Sequence, residues 1–367
     1  MSFNVETPFQ QPLGGSESAL CYLAIALADE GCEVFILSNT QEVGYLRGVH
    51  CLNYQQTVES GFLRSKTFDC VVVINAARLS NFFRSLLPPQ TLLWLWITID
   101  VDQPPIYPLI QADLRSDWHR FILVSDYQRT RFINHYHLPE KLAFVLRNAI
   151  APGFENLFIS QDDLLTSKRF QNIPVLAYTS TPFRGLESLL DLYQPFRKLF
   201  PDAQLRVYSS MKVYQKDEAA EEKWLKDLYQ RCQNTAGITY IGSLAQPQLA
   251  AALKQVSILA YPNTFAETAC ISVMEALASG CLVVTSELGA LPETIHRFGQ
   301  LVPVTFRTVE QFEKEYLNAL SAVYLEFFNN PQQMYKHLWE QVLFMNQHYT
   351  WHVRAKEWMA AIDSGML

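Results

Sequence analysis

No stretch of the 367-residue sequence is apolar for long enough to span a bilayer. The opening "MSFNVETPFQ" also lacks the charged-then-apolar order of a secretory leader. The chain therefore reads as soluble and cytoplasmic, with peripheral contact to a membrane surface left open. Clusters of Lys and Arg are missing too, and the formal charge is −7. Phosphate backbones are held through such clusters, so nucleic acid is not an expected partner. The seven cysteines contain no CxxC pair and form an odd count, which fits reduced thiols better than a disulfide framework. His135 and His137 in "INHYHLPE" have no acidic or cysteine companions in a ligand pattern, and they read as surface residues near a helix end.

What the chain does have is apolar bulk, at 49% hydrophobic and 18% charged residues, in a length that exceeds one ordinary core. Short runs rich in Val, Ile and Leu alternate with helical patterns, the mark of parallel sheets covered on both faces. In the first half the candidate strands are "FNVET", "CEVFILS", "CVVVINA", "TLLWLWIT", "FILVSD" and "LAFVLRN". In the second they are "VLAYTS", "AQLRVYSS", "ITYIGS", "SILAYP", "CLVVTS" and "GQLVPV". The intervening stretch is polar and without a sustained period. We expect an α/β chain with a doubly wound domain over 1–150, a linker over 151–173, a second such domain over 174–335, and C-terminal helices over 336–367 that pack back on the domains.

In such sheets ligands sit beyond the carboxyl ends of strands, so the strand-to-helix loops are where chemistry is expected. "FAETACISVMEALASG" places Glu267 ahead of a helix and Glu275 inside it. The free amides around Ala269, Cys270 and Ile271 form a helix start that favours a phosphate group. Carboxylates beside a phosphate site suit hydroxyl donors such as those of a sugar and a ribose. Taken alone, their spacing is better explained by an ordinary solvated helix and a loop carboxylate, since such a pair recurs by chance about once in a chain this long. In "PLGGSESAL" Gly14 and Gly15 either let the backbone approach a ligand or permit positive φ, and Ser16 is a candidate N-cap. Arg184, in the loop of "VLAYTSTPFRG", is placed to neutralise a phosphate. Asp100 and Asp102 in "ITIDVDQPP" form a D-x-D triplet, but two carboxylates do not complete a hard-cation site, so no metal is expected.

The segment "FAETACISVMEALASGCLVVTSELGALPET" resembles the donor-binding core of retaining glycosyltransferases of the GT-B fold, specifically family four (glycosyl transferases group 1). The residues that carry the likeness are Glu267, Glu275, Ala276, Gly280, Val283, Val284, Gly289 and Glu293. The resemblance implies two Rossmann-like domains facing each other across a cleft. It implies a nucleotide-diphosphate sugar donor, with UDP or GDP as the nucleotide and no required cofactor. The acceptor would be a glycan, a lipid or another hydroxyl compound. Glu267 and Arg184 are then catalytic. Gly14, Gly15, Ala269, Cys270, Ile271 and Glu275 hold the donor, and Asp100 and Asp102 lie on the acceptor side. The chain departs from the pattern at two places. Thr179 or Thr181 stands where relatives usually carry a cation, and Ile99 where they often carry a His. These departures motivate an alternative, a catalytically impaired nucleotide-sugar binding or scaffold protein. A second rival, a nucleotide-sugar epimerase on the same architecture, is disfavoured because the sequence lacks a recognisable set of acid and base carboxylates.

Overall fold

The computed structural model describes residues 1–168, 173–215, 222–305 and 308–366. Its strands fall into three sheets. In the first half β1 (Val34–Ser38) pairs parallel with β3 (Val49–Asn53), and β2 (Gly44–Leu46) joins β3 antiparallel. A four-stranded parallel sheet follows, made of β4 (Cys70–Ile74), β5 (Leu92–Ile97), β6 (Arg120–Leu123) and β7 (Ala143–Val145). Every residue of β5 is buried, which is why "LLWLWI" shows no polar alternation.

Two sequence expectations fail here. "FNVET" is not a strand, because the Asn4 side chain accepts from the Glu6 amide and the Asn4 amide donates to Thr7, after which Pro8 sits in the first turn of a short helix. Local side-chain bonding supplies the backbone partners that a sheet would have supplied. Val5 is still fully buried. The helix α1 (Gly15–Asp29) starts two residues earlier than an N-cap at Ser16 would place it, with Gly14 as its N-cap. Ser16 lies inside its first turn and pairs with the Thr98 hydroxyl at 2.6 Å.

The second half holds one six-stranded, wholly parallel sheet. Its strands are β8 (Val175–Tyr178), β9 (Gln204–Val207), β10 (Ile238–Tyr240), β11 (Ile258–Tyr261), β12 (Leu282–Glu287) and β13 (Gly299–Pro303). Their order is β10-β9-β8-β11-β12-β13, so winding reverses between β8 and β11 and opens a crevice at their carboxyl ends. All six coincide with expected runs.

The stretch read as a linker is packed rather than loose. It contains helix α2 (Gln161–Lys168), with Phe154, Phe158 and Leu164 buried, and its residues 169–172 lie outside the described residues. Helices α3 (Val309–Asn329) and α4 (Pro331–His348) cover the second half. The last helix, α5 (Trp351–Met366), crosses to the first half, where the Trp358 ring lies 6.0 Å from Trp94 and 5.1 Å from Trp96 in β5. Arg120 of β6 donates to the Ala361 carbonyl at 2.9 Å. Among the described residues no helix is long and apolar enough to cross a membrane.

Candidate active site

A cavity of about 570 Å³ opens at the β8/β11 crevice and is lined by both halves of the chain. Its floor is the loop after β11, where residues 262–270 lead into helix α6 (Ile271–Ala278). The amides at the start of α6 lack partners in a preceding turn, and Ala269, Cys270, Ile271 and Ser272 all line the space. Gly15 of α1 approaches the same point from the first half. A Cβ built on Gly15 would stand 3.5 Å from the Ile271 side chain. Neither Gly14 nor Gly15 takes a positive φ, so their role is space rather than backbone freedom.

Glu267 is 3% exposed, yet it does not belong to the helix. Three features hold its carboxylate. Arg184 Nη1 donates to both oxygens at 2.8 and 2.9 Å, and the Tyr261 hydroxyl donates to Oε1 at 2.6 Å. Burial pulls the Arg184 guanidinium down, but the charge of Glu267, helped by Tyr261 and Tyr214, outweighs it and keeps the arginine above its ordinary value. The guanidinium also lies 4.6 Å from the centre of the Phe265 ring. Its Nε makes no hydrogen bond.

The third support is backbone. Gly289, at φ +62, lies directly behind the loop, and a Cβ there would stand 2.5 Å from the Glu267 carbonyl oxygen and 2.6 Å from its amide nitrogen. The neighbouring Ala290 amide donates to that carbonyl at 2.7 Å. Only a glycine allows this approach. Gly185, at φ +122, serves likewise where the β8 loop meets the carbonyl of Pro262.

Glu275 occupies the second turn of α6 and faces the cavity although it is only 2% exposed. Burial pushes its carboxyl from 4.5 up to about 8, against the Ala151 amide and the Gln246 side chain, which draw it down. Its Oε1 has no hydrogen-bond partner. A buried acceptor left unpaired on a residue that lines a cavity has capacity for a hydroxyl donor. The Cys270 thiol is pushed up to about 12, chiefly by burial and then by Glu267, so it stays protonated and is no nucleophile.

The remaining expected positions are distributed as follows. Thr179, Thr181 and Ile99 line the cavity, and both threonine hydroxyls are buried without a hydrogen bond. Asp100 and Asp102 do not line it. Asp100 is 3% exposed, receives Arg131 Nε at 2.9 Å and caps the Val101 amide. The Asp102 carbonyl accepts from Tyr107. His137 ends the helix Asp126–Tyr136 in a left-handed conformation, and no group of potential metal ligands occurs among the described residues. Glu293 bridges the halves. It accepts from the Asp126 and Tyr127 amides at that helix's start and from Arg147 at 2.7 Å.

Several site residues escaped the sequence reading. Tyr261 and Tyr178 each end a fully buried strand at the crevice, and a hydroxyl at the tip of an otherwise apolar run was the available signal. Thr268 donates to the Thr98 carbonyl at 2.8 Å, a bond between the halves that sequence spacing could not reveal. Glu17, in the first turn of α1, also lines the cavity.

Residues 175–322 match the family model described as glycosyl transferases group 1. The fold is similar to that of a glycosyltransferase from Rickettsia africae, with TM-score 0.72, 11% identity, and 96% of this chain and 95% of that chain covered. It is similar to a sucrose-phosphate synthase from Thermosynechococcus elongatus, with TM-score 0.71, 14% identity and coverage of 99% and 97%. It is also similar to Anabaena HepE solved with UDP-glucose, with TM-score 0.68, 13% identity and 96% of each chain covered. No curated protein sequence matches. The chain therefore shares the fold of these glycosyltransferases, and residues 175–322 in its second half carry the glycosyl transferases group 1 match.

Proposed function

We propose that the protein is a retaining glycosyltransferase that moves a sugar from a nucleotide-diphosphate sugar to an acceptor hydroxyl. The observation that carries this reading is the pair of buried carboxylates, Glu267 and Glu275, lining one cavity with the start of α6 between them. In this reading residues 1–150 are the acceptor-side domain and residues 174–335 the donor domain. Glu275 accepts ribose hydroxyls and Glu267 contacts the transferred sugar. The amides of Ala269, Cys270 and Ile271 lie against the diphosphate. HepE, with the same fold, was solved with UDP-glucose, which supports a UDP or GDP sugar as the donor class. Seven free thiols fit a reducing compartment such as the cytoplasm.

The chemistry follows from fixed charge. As the glycosidic bond breaks, negative charge grows on the diphosphate, where the α6 amides and the positive charge of Arg184, both lining the cavity, stabilise it. Glu267 keeps Arg184 in place through two hydrogen bonds. A phosphate oxygen of the leaving group takes the acceptor proton on the same face of the sugar, which retains the anomeric configuration. Threonine hydroxyls in place of a second cation leave less charge to stabilise the leaving group. This favours, as a second reading, a nucleotide-sugar binding protein with little turnover.

The test is a thermal-shift screen of nucleotide sugars, followed by NMR of the anomeric proton formed from the best stabiliser. Transfer or slow hydrolysis with retained configuration supports the enzyme. Inversion contradicts the mechanism, and tight binding with no product supports the second reading.

A further inference from the structure

Ionisable side chains are scarce on the first-half wall of the cavity. Among the described residues Glu17 is the single one that this half contributes. Three neighbouring polar side chains, Ser16, Asn75 and Thr98, are occupied with one another. Ser16 pairs with the Thr98 hydroxyl at 2.6 Å, and Asn75 exchanges bonds with Thr98 at 2.7 and 2.8 Å. Glu17 is different. Its carboxyl folds back over Gly14, where a Cβ would stand 2.5 Å from Oε2, so the bare glycine leaves room for it. Because Gly15 faces Ile271, the start of α1 stands against the donor loop, and Glu17 lies on the wall across from that loop.

We propose that Glu17 is the acceptor-binding carboxylate of the first half, and that it selects a neutral or amine-bearing polyol over a phosphorylated one. This rests on the sugar-transfer reading above and deepens it by naming the acceptor's charge class. Burial raises the Glu17 carboxyl, while its own amide and the chain's amino terminus draw it down. No side-chain cation acts on it in the described structure, so hydroxyl or ammonium groups of an incoming acceptor are its natural partners. A phosphate dianion brought to the same wall meets a like charge at low dielectric, and such juxtapositions are strongly disfavoured.

The test uses the full-length protein saturated with UDP, or with GDP if that binds more tightly. NMR titration of methyl glucoside, glucosamine and glucose 6-phosphate is expected to show the first two binding more tightly than the third by about tenfold or more. Glu17→Gln keeps the side-chain size and removes the charge. It should shrink that preference to about threefold or less, while nucleotide affinity stays within about twofold of wild type. A purely structural Glu17 would shift stability and all three ligands together. That pattern, a loss of nucleotide affinity in the variant, or equal affinity of the wild type for all three compounds overturns the proposal. A wild type that binds neither nucleotide overturns the sugar-transfer reading itself, and this inference with it.

Discussion

Replacing Glu275 with glutamine should stabilise the unliganded protein while loosening its hold on a nucleotide. The carboxyl is 2% exposed, and burial raises it from 4.5 to about 8. Between those values the folded chain keeps the proton and the unfolded chain has lost it. Stability therefore falls as pH rises, by about 1.4 kcal/mol per unit. The loss begins near pH 4.5, is complete near pH 8, and reaches about 3 kcal/mol at pH 7. Glutamine copies the shape of the protonated acid and does not titrate. Glu275→Gln should therefore raise Tm at pH 7 by about 4 °C, and the gain should vanish near pH 4.5. Calorimetric scans across that range provide the assay. Calorimetric titration of UDP or GDP should meanwhile show about tenfold weaker binding, because an amide oxygen accepts ribose hydroxyls less strongly than the carboxylate that Glu275 can become when those donors arrive. A Tm that drops at pH 7, or a difference that does not change with pH, would refute the claim that Glu275 is an uncompensated buried acid.

Other substitutions probe the supports of the site. Gly289→Ala places a Cβ 2.5 Å from the Glu267 carbonyl at φ +62 and should cost about 2 kcal/mol or more, read by urea unfolding, with loss of donor hydrolysis. Arg184→Gln leaves the Glu267 carboxylate, whose side chain is 4% exposed, without its cation and should destabilise by about 3 kcal/mol while abolishing turnover. Tyr261→Phe removes one hydrogen bond to Glu267 but spares the ion pair, so a milder loss of about 1.5 kcal/mol is expected in the same unfolding assay. Thr268→Val deletes the bond to the Thr98 carbonyl and should enlarge the ligand-free radius of gyration in small-angle scattering, with a stability cost of about 1 kcal/mol.

The second half was legible because burial on both faces leaves strands such as Val175–Tyr178 and Ile258–Tyr261 as unbroken apolar runs, set off by helices with clear periods. The first half was less so. Its strand Val49–Asn53, "VHCLN", alternates buried with half-buried positions and includes a histidine and an asparagine, so it did not stand out as a run. "FNVET" did stand out, and failed because the Asn4 side chain replaced the sheet's hydrogen bonds. At the site, the helix start and both glutamates could be read from chain order alone. What holds Glu267 could not. Arg184 comes from the turn after β8 and Tyr261 from the end of β11, and Gly289 acts through backbone contact across a loop. The acceptor-side placement of Asp100 and Asp102 came from the resemblance and not from their spacing; neither lines the cavity, and Asp100 is engaged by Arg131 and the Val101 amide.

The division of labour between the two glutamates is tested most directly by titrating a free nucleoside diphosphate and the intact nucleotide sugar into wild type, Glu267→Ala and Glu275→Ala. The account predicts that Glu275→Ala loses affinity for the free nucleotide, while Glu267→Ala keeps it and loses hydrolysis or transfer of the sugar. Equal loss of free-nucleotide affinity in both variants would contradict it.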